Sequence, residues 1–288
     1  MVVGVIGLGI MGSAYARNLI RSGETVFGVD PSVTARAKLA EEGGSVFETV
    51  DDWVSDCDAI VLSLAAPHVL ASVCEKLATG LRPGQVVVET GTFSLADKEE
   101  ARSLLDKSGA VLLDCPVSGT GAQAAEADLV MMASGPEEVV AEIRPLLEKF
   151  TRMVMYVGDF GNGTKLKFVA NHAVAIHNVA AAETLNYADA LGLERDTVYR
   201  LLSSGAGQSR MSDLRMPLMI NGAYDPPSAS LKMFEKDLRI IGEDIEDKGV
   251  FAPLFEAGRS VYDATVDELP NQFDTASVFE TYKSKSER

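Results

Sequence analysis

The chain has 288 residues, 47% hydrophobic and 24% charged, the profile of a globular protein with one large or two medium domains. Its formal net charge of −16 excludes nucleic acid and anionic membrane as expected partners, while leaving room for a local cationic pocket that takes a small anion. Cys57, Cys74 and Cys115 have neither metal nor disulfide spacing, which fits a reducing cytoplasm, and no apolar run is long enough to span a membrane.

The N-terminus reads as a core strand, not a signal peptide, because glycines break it and no basic lead-in precedes it. This β-branched run turns at Gly7-Leu8-Gly9-Ile10-Met11-Gly12 into a helix that stops at Ser22-Gly23. In a G-x-G-x-x-G turn of this kind the first glycine allows the tight turn, the second lets the backbone approach a pyrophosphate, and the third lets helix and strand pack closely. The next strand, Thr25 to Val29, ends on Asp30, where a dinucleotide-binding unit places the acid that accepts from the adenine ribose hydroxyls. The plain alternative is a glycine-rich turn beside a surface carboxylate.

Further strands are predicted at 45–47, 59–64, 86–89, 110–114, 129–133 and 153–157. Helices are predicted at 34–42, 50–55, 67–77, 95–108 and 136–149. This alternation argues an α/β fold with a doubly wound parallel sheet. Beyond Gly163 no strand is convincing. Residues 164–191 form one long Ala-rich helical stretch, apolar over most of its circumference and so expected to be buried. Helices follow at 194–202, 209–219, 230–248 and 252–266, with a tail from Thr275. The expected division is a Rossmann domain over 1–162 and an all-α domain over 163–288, joined by the long helix.

Four blocks, in order, resemble the β-hydroxyacid dehydrogenases, the group of 3-hydroxyisobutyrate and 6-phosphogluconate dehydrogenases. They are the glycine loop, Asp114-Cys115-Pro116-Val117-Ser118-Gly119, Gly161-Asn162-Gly163-Thr164-Lys165-Leu166-Lys167 with Asn171, and Lys236-Asp237-Leu238. The sequence departs from the family at Thr120, Ala170, Val174 and Pro270–Asp274. Val174 stands where the 6-phosphogluconate enzymes have a glutamate, which points away from that substrate.

The resemblance implies an NAD-dependent oxidation of a small 3-hydroxy acid without metal. It assigns the substrate carboxylate to Ser118 and Gly119, with Thr120 a possible second hydroxyl, and makes Lys167 the acid–base and Asn171 its partner on the substrate. The cofactor would be held by Gly7, Leu8, Gly9, Ile10, Met11, Gly12 and Asp30, with Thr92 near its nicotinamide end, Leu64 and Ala65 touching it through their backbone, and Lys236 contacting cofactor and substrate. Thr92 could equally cap the following helix, and Cys115 reads as a packed residue, not a nucleophile. Of the two lysines near the long helix's start, Lys167 shares a face with Asn171 and Val174, while Lys165 points away. His68, His172 and His177 carry no motif. Rival readings are a reductase of a small aldehyde acid and a dinucleotide sensor without turnover; a sensor has no need of Lys167 and Asn171. An apolar long helix suggests a homodimer or homotetramer.

Overall fold

The computed structural model describes residues 1–286. The chain divides into two compact units, one covering Met1–Lys167 and the other running from Phe168 on.

The first unit alternates strand and helix. β1 (Val2–Ile6), α1 (Ile10–Arg21), β2 (Thr25–Val29), α2 (Val33–Glu41), β3 (Ser45–Phe47) and a single 3-10 turn at Asp52–Asp56 lead to β4 (Ala59–Leu62). α3 (Pro67–Gly80), β5 (Val86–Glu89), α4 (Leu95–Asp106) and β6 (Val111–Asp114) follow. These six strands form one parallel sheet in the order β3-β2-β1-β4-β5-β6. The strands are continuous apolar runs because both faces are covered. In β4, Ala59 and Val61 enter one core and Ile60 and Leu62 the other; Val88 of β5 and Leu113 of β6 join the first, Val87 and Leu112 the second. Chain order reverses between β1 and β4, the crevice where open α/β sheets bind ligands at the strands' carboxyl ends.

The predicted strands at 129–133 and 153–157 leave this sheet, which corrects their expected place in it. β7 (Val117–Ser118), α5 (Gly121–Ala125), β8 (Val130–Ala133), α6 (Glu137–Leu147) and β9 (Met153–Tyr156) build a separate sheet in the order β7-β8-β9. β7 runs antiparallel to β8, pairing Ser118 with Val130. Pro116 follows β6 almost at once and has no N–H with which to prolong the ladder. The chain therefore turns out of the main sheet and doubles back on itself. The two sheets stay coupled by a bridge between Asp114 and Ser134.

α7 (Asn162–Ala190) begins in the first unit and continues into the second. The second unit adds α8 (Arg195–Ser204), α9 (Arg210–Asn221), α10 (Leu231–Asp247), α11 (Pro253–Glu268) and α12 (Val278–Ser286). Among its described residues there is no strand. Its core includes Phe168, Leu185, Phe255, Tyr262 and Phe279. The expected burial of the long helix holds for one face only. Phe168, Ala175, Ala182 and Leu185 are buried, while Val169 is 66% and Tyr187 64% exposed. Composition makes the helix apolar, but packing within one chain covers only the stripe that faces α10 to α12.

The glycine loop shows where a side chain is forbidden. Gly7 has φ of +92°, and a Cβ on Gly12 would lie 1.8 Å from the Gly7 carbonyl oxygen, whereas a Cβ on Gly9 meets no atom within 4 Å. Gly12→Ala is therefore expected to lower the unfolding free energy by about 1–3 kcal/mol through overpacking. Gly9→Ala should stay within about 0.5 kcal/mol of wild type, as an unstrained exposed substitution does. Urea unfolding of the two variants checks the contrast; equal losses would overturn it.

Candidate active site

The glycine loop joins β1 to α1 with Gly9 at the N-cap, and no side chain caps the helix. Its leading N–H groups and the open space over Gly9 suit an anion at a helix N-terminus. Asp30, just past β2, closes the loop. Its Oδ2 accepts from the Leu8 N–H and its Oδ1 from the Ser32 N–H, both at 2.8 Å. Ser13 Oγ donates to the Leu8 carbonyl at 2.7 Å. Arg36 folds back from α2 onto the same turn, donating to the carbonyl oxygens of Asp30 at 2.6 Å and Pro31 at 3.1 Å. A loop shaped in this way, with a carboxylate at its ribose side, fits a nicotinamide dinucleotide.

The other cofactor candidates follow the next strands of the sheet. Leu64 is half-buried and Ala65 exposed just past β4. Thr92 lies past β5 and is not a helix cap: Ser94 fills that role for α4, in a reciprocal box with Asp97. Ser118 is exposed in β7 and Gly119 follows it with φ of +143°. The Thr120 hydroxyl accepts from the Gln123 N–H at 3.3 Å and caps α5. Cys115 is buried, and that burial pushes its thiol pKa up, so it stays a neutral packed group. A cleft of about 560 Å³ bordered by Arg102, Leu112, Tyr156 and Phe160 includes none of these residues in its lining.

The start of α7 is fastened by a carboxylate that sequence reasoning left unassigned. Asp114, fully buried at the end of β6, accepts from the Thr164 N–H at 2.8 Å, from Thr164 Oγ1 at 2.9 Å and from Ser134 Oγ at 3.1 Å. Gly163 packs so tightly here that a Cβ would lie 2.5 Å from the Met132 carbonyl oxygen and 2.7 Å from that of Asp114. Three residues beyond Thr164 comes Lys167, half-buried; Lys165 is exposed and donates to Asn162 Oδ1 at 3.2 Å.

Asp114 also receives Lys98 of α4. The Lys98 ammonium is fully buried, 2.6 Å from Asp114 Oδ1, 2.6 Å from Glu89 Oε2 and 2.9 Å from the Gly91 carbonyl oxygen. The Glu89 contact is an ion pair through Oε2; Glu89 Oε1 accepts from the Gly91 N–H at 2.7 Å. Burial acts to lower the Lys98 pKa, but the two carboxylates outweigh it and the net shift is upward. For Glu89, burial wins over the ammonium and the pKa rises. Two acids share one base, and Asp114 has the additional donors from Thr164 and Ser134. The signal for Lys98 was its spacing: it shares the inward face of α4 with Ala101 and Leu105.

In the second unit, Asn171 Nδ2 donates to Asp237 Oδ2 at 2.9 Å, and Lys236 Nζ pairs with Asp237 Oδ1 at 2.9 Å. One carboxylate of α10 thus fixes both predicted residues. Asp237 belonged to a recognised block but had no role assigned to it. His172 stacks on Phe255 at 5.1 Å. Among the described residues no group of three or more His, Cys, Asp or Glu could hold a metal, and no helix is long and apolar enough to cross a membrane.

A doubly wound sheet with this loop and a helical second unit define a nicotinamide-dinucleotide oxidoreductase. The family model for the NAD binding domain of 6-phosphogluconate dehydrogenase matches residues 2–158, and that for the NAD-binding region of NADP-dependent 3-hydroxyisobutyrate dehydrogenase matches residues 161–282. An L-threonate dehydrogenase of Pectobacterium atrosepticum is 30% identical over 97% of this chain and 93% of its own. The crystal structure of a 3-hydroxyisobutyrate dehydrogenase from Salmonella typhimurium superposes with a TM-score of 0.88 at 27% identity, covering 98% of this chain and 99% of that one. A Mycobacterium tuberculosis 3-hydroxyisobutyrate dehydrogenase structure with L-serine gives 0.89 at 26%, covering 97% and 98%. The chain belongs to the β-hydroxyacid dehydrogenase family, of the 3-hydroxyisobutyrate and L-threonate dehydrogenase type, and is an NAD(P)-dependent oxidoreductase of hydroxy acids.

A carboxyl whose folded-state pKa is raised binds its proton more tightly in the native chain; that stabilisation is full below its ordinary value of 4.5 and is lost as pH rises through the raised one. Glu89→Gln cannot ionise. It is therefore expected to gain in stability on the wild-type chain as pH rises from about 4 to about 8, measured by urea unfolding at each pH. Stability curves that run parallel would contradict the raised pKa.

Proposed function

We propose that the protein oxidises a small 3-hydroxy acid with NAD, using Lys167 as the acid–base. The observation that carries this reading is the anchoring of α7 by Asp114. The same residue roots the Ser118 loop, so the helix that bears Lys167 starts at the carboxyl edge of the sheet. When bound, the nicotinamide supplies a hydride acceptor. Lys167 takes the hydroxyl proton as the carbonyl forms, and Asn171 orients the amine or the same oxygen. Ser118 and Gly119 hold the substrate carboxylate, with Thr120 beside them; Thr92 lies at the nicotinamide end, and Leu64 and Ala65 contact the cofactor through their backbone. Run in reverse, the same groups reduce an aldehyde acid. Reducing surroundings such as the cytoplasm suit the three buried free thiols.

NAD is preferred to NADP in this reading because the Asp30 carboxylate repels a 2′-phosphate, while the Arg36 guanidinium is engaged on the turn's own carbonyls. A homodimer or homotetramer would cover Val169 and Tyr187 of α7, which one chain leaves exposed; light scattering that shows only a 30.7 kDa species would remove that element.

The first experiment is a screen of purified enzyme against small hydroxy acids with NAD and with NADP, followed by absorbance. Higher kcat/KM with NAD is expected; equal or better use of NADP would overturn the cofactor assignment. On the best substrate, Lys167→Ala should lower kcat by roughly 10²–10⁴-fold, the usual worth of general acid–base catalysis, with NAD binding retained. Lys165→Ala should do little. An active Lys167→Ala enzyme would refute the assignment.

A further inference from the structure

Lys98 is a fully buried cation outside every role assigned so far. Its three acceptors belong to segments that the reaction uses. The Gly91 carbonyl lies in the turn between Thr90 and Thr92, Glu89 is the strand end that feeds this turn, and Asp114 roots the Ser118 loop and holds Thr164 at the start of α7. We propose that Lys98 is a positioning residue: its ammonium sets the spacing between the 90–92 turn, the root of the Ser118 loop and the first turn of α7, and so the place of Lys167 relative to the other two. The proposal rests on the functional reading above, in which these three segments hold the nicotinamide, the substrate carboxylate and the proton acceptor.

Several observations support it. The ammonium lies within 2.9 Å of three oxygens on three segments, donating to the Gly91 carbonyl and Asp114 and ion-paired with Glu89, so it cannot swing away from one segment without losing contact with another. A buried ion cluster is a poor source of stability, since apolar side chains of similar volume often do as well or better; fixing one arrangement against its neighbours is a role that apolar side chains fill less well. Asp114 lies between the ammonium and the positive end of α7, so Lys98 acts on the helix through a single carboxylate. Correct spacing matters because a misplacement of about 1 Å can cost on the order of 10²-fold in rate.

Removing Lys98 alone would leave two buried carboxylates without a cation, and that protein could fail to fold. The comparison is therefore made in the Glu89→Gln background, which keeps the ammonium and its hydrogen bonds to Gly91 and Asp114. Adding Lys98→Met to it removes those ties while leaving Asp114 its donors from Thr164 and Ser134. Two measurements are made on the full chain. Hydrogen–deuterium exchange without ligand should quicken together at 90–93 and 162–167 and stay unchanged at 2–21. On the best hydroxy acid of the screen, kcat should fall by roughly 10–100-fold with the Kd for NAD within about twofold of the background. Lys98→Gln in the same background returns a neutral donor and should recover part of kcat. Should the methionine variant not fold, Lys98→Arg, which keeps the charge on a longer planar head, is measured in the same two ways and should show the same paired quickening and a smaller fall in kcat. A well-folded variant with a lowered unfolding midpoint but unchanged kcat and unchanged exchange at those two segments would overturn the proposal. So would exchange raised evenly over residues 1–167. If the wild-type enzyme oxidises no hydroxy acid with either cofactor, the functional reading fails, and the exchange pattern still decides whether Lys98 fixes the segments.

Discussion

The Asp114 carboxylate is the constraint on which the arrangement of the first unit hangs. It ends a strand whose other side chains are apolar and has no access to water. An ion in that position must be satisfied in full or it costs several kcal/mol. It collects a cation from α4, a hydroxyl from the end of β8, and both an N–H and a hydroxyl from α7. These bonds join elements up to 50 residues apart in sequence. The same need explains Gly163, since backbone must pass within van der Waals contact of Pro116 and the Met132 carbonyl for Thr164 to arrive. Proline after β6, glycine before α7 and a carboxylate between them are one arrangement.

Asp30 does for the glycine loop what Asp114 does for α7. A loop that must present bare N–H groups to a ligand cannot satisfy its own backbone fully, and it needs an outside anchor to keep its shape. Asp30 supplies that anchor through Leu8 and Ser32, and each oxygen keeps a second lone pair for a ribose hydroxyl. Loop shape therefore hangs on a single side chain, and a change at this position acts on the whole turn.

How much of this was legible in the sequence follows from how local each signal is. The six parallel strands are apolar runs, and the glycine loop with Asp30 carries a spacing that few other structures need. Two strands of the second sheet were legible as apolar runs, but that they leave the first sheet was not, because β7, where the chain turns back, is two residues long and shows no periodicity. Lys98 sits in the charged stretch Asp97-Lys98-Glu99-Glu100, which reads as a solvated face. Only its alignment with Ala101 and Leu105 places it inward, and its partners come from two other strands. The apolar character of α7 was plain, but which of its faces a single chain covers depends on helices some 50 or more residues further on. Val169 and Tyr187 are where that information was missing.

The second unit repeats the device at the helix that carries Lys236 and Asp237. Asp274, also buried, accepts from the Ser228 N–H at 2.8 Å, the Ala229 N–H at 3.2 Å and the Ala276 N–H at 2.9 Å, with Arg215 as its cation at 3.1 Å. Ser230, paired with Asp274 as an isolated bridge, caps α10. A carboxylate thus gathers the N–H groups of the approach to α10 as Asp114 gathers those at the start of α7. In both cases the cation is itself buried, at Lys98 and at Arg215. Apolar packing alone tolerates repacking of similar volume and fixes a helix start only loosely. A carboxylate with several directed donors does not, because each donor displaced becomes a buried group without a partner. The two helices that carry Lys167 with Asn171, and Lys236 with Asp237, each begin at such a carboxylate. The origin of each helix is thereby fixed by directed bonds, and the rest of the helix is left to hydrophobic packing.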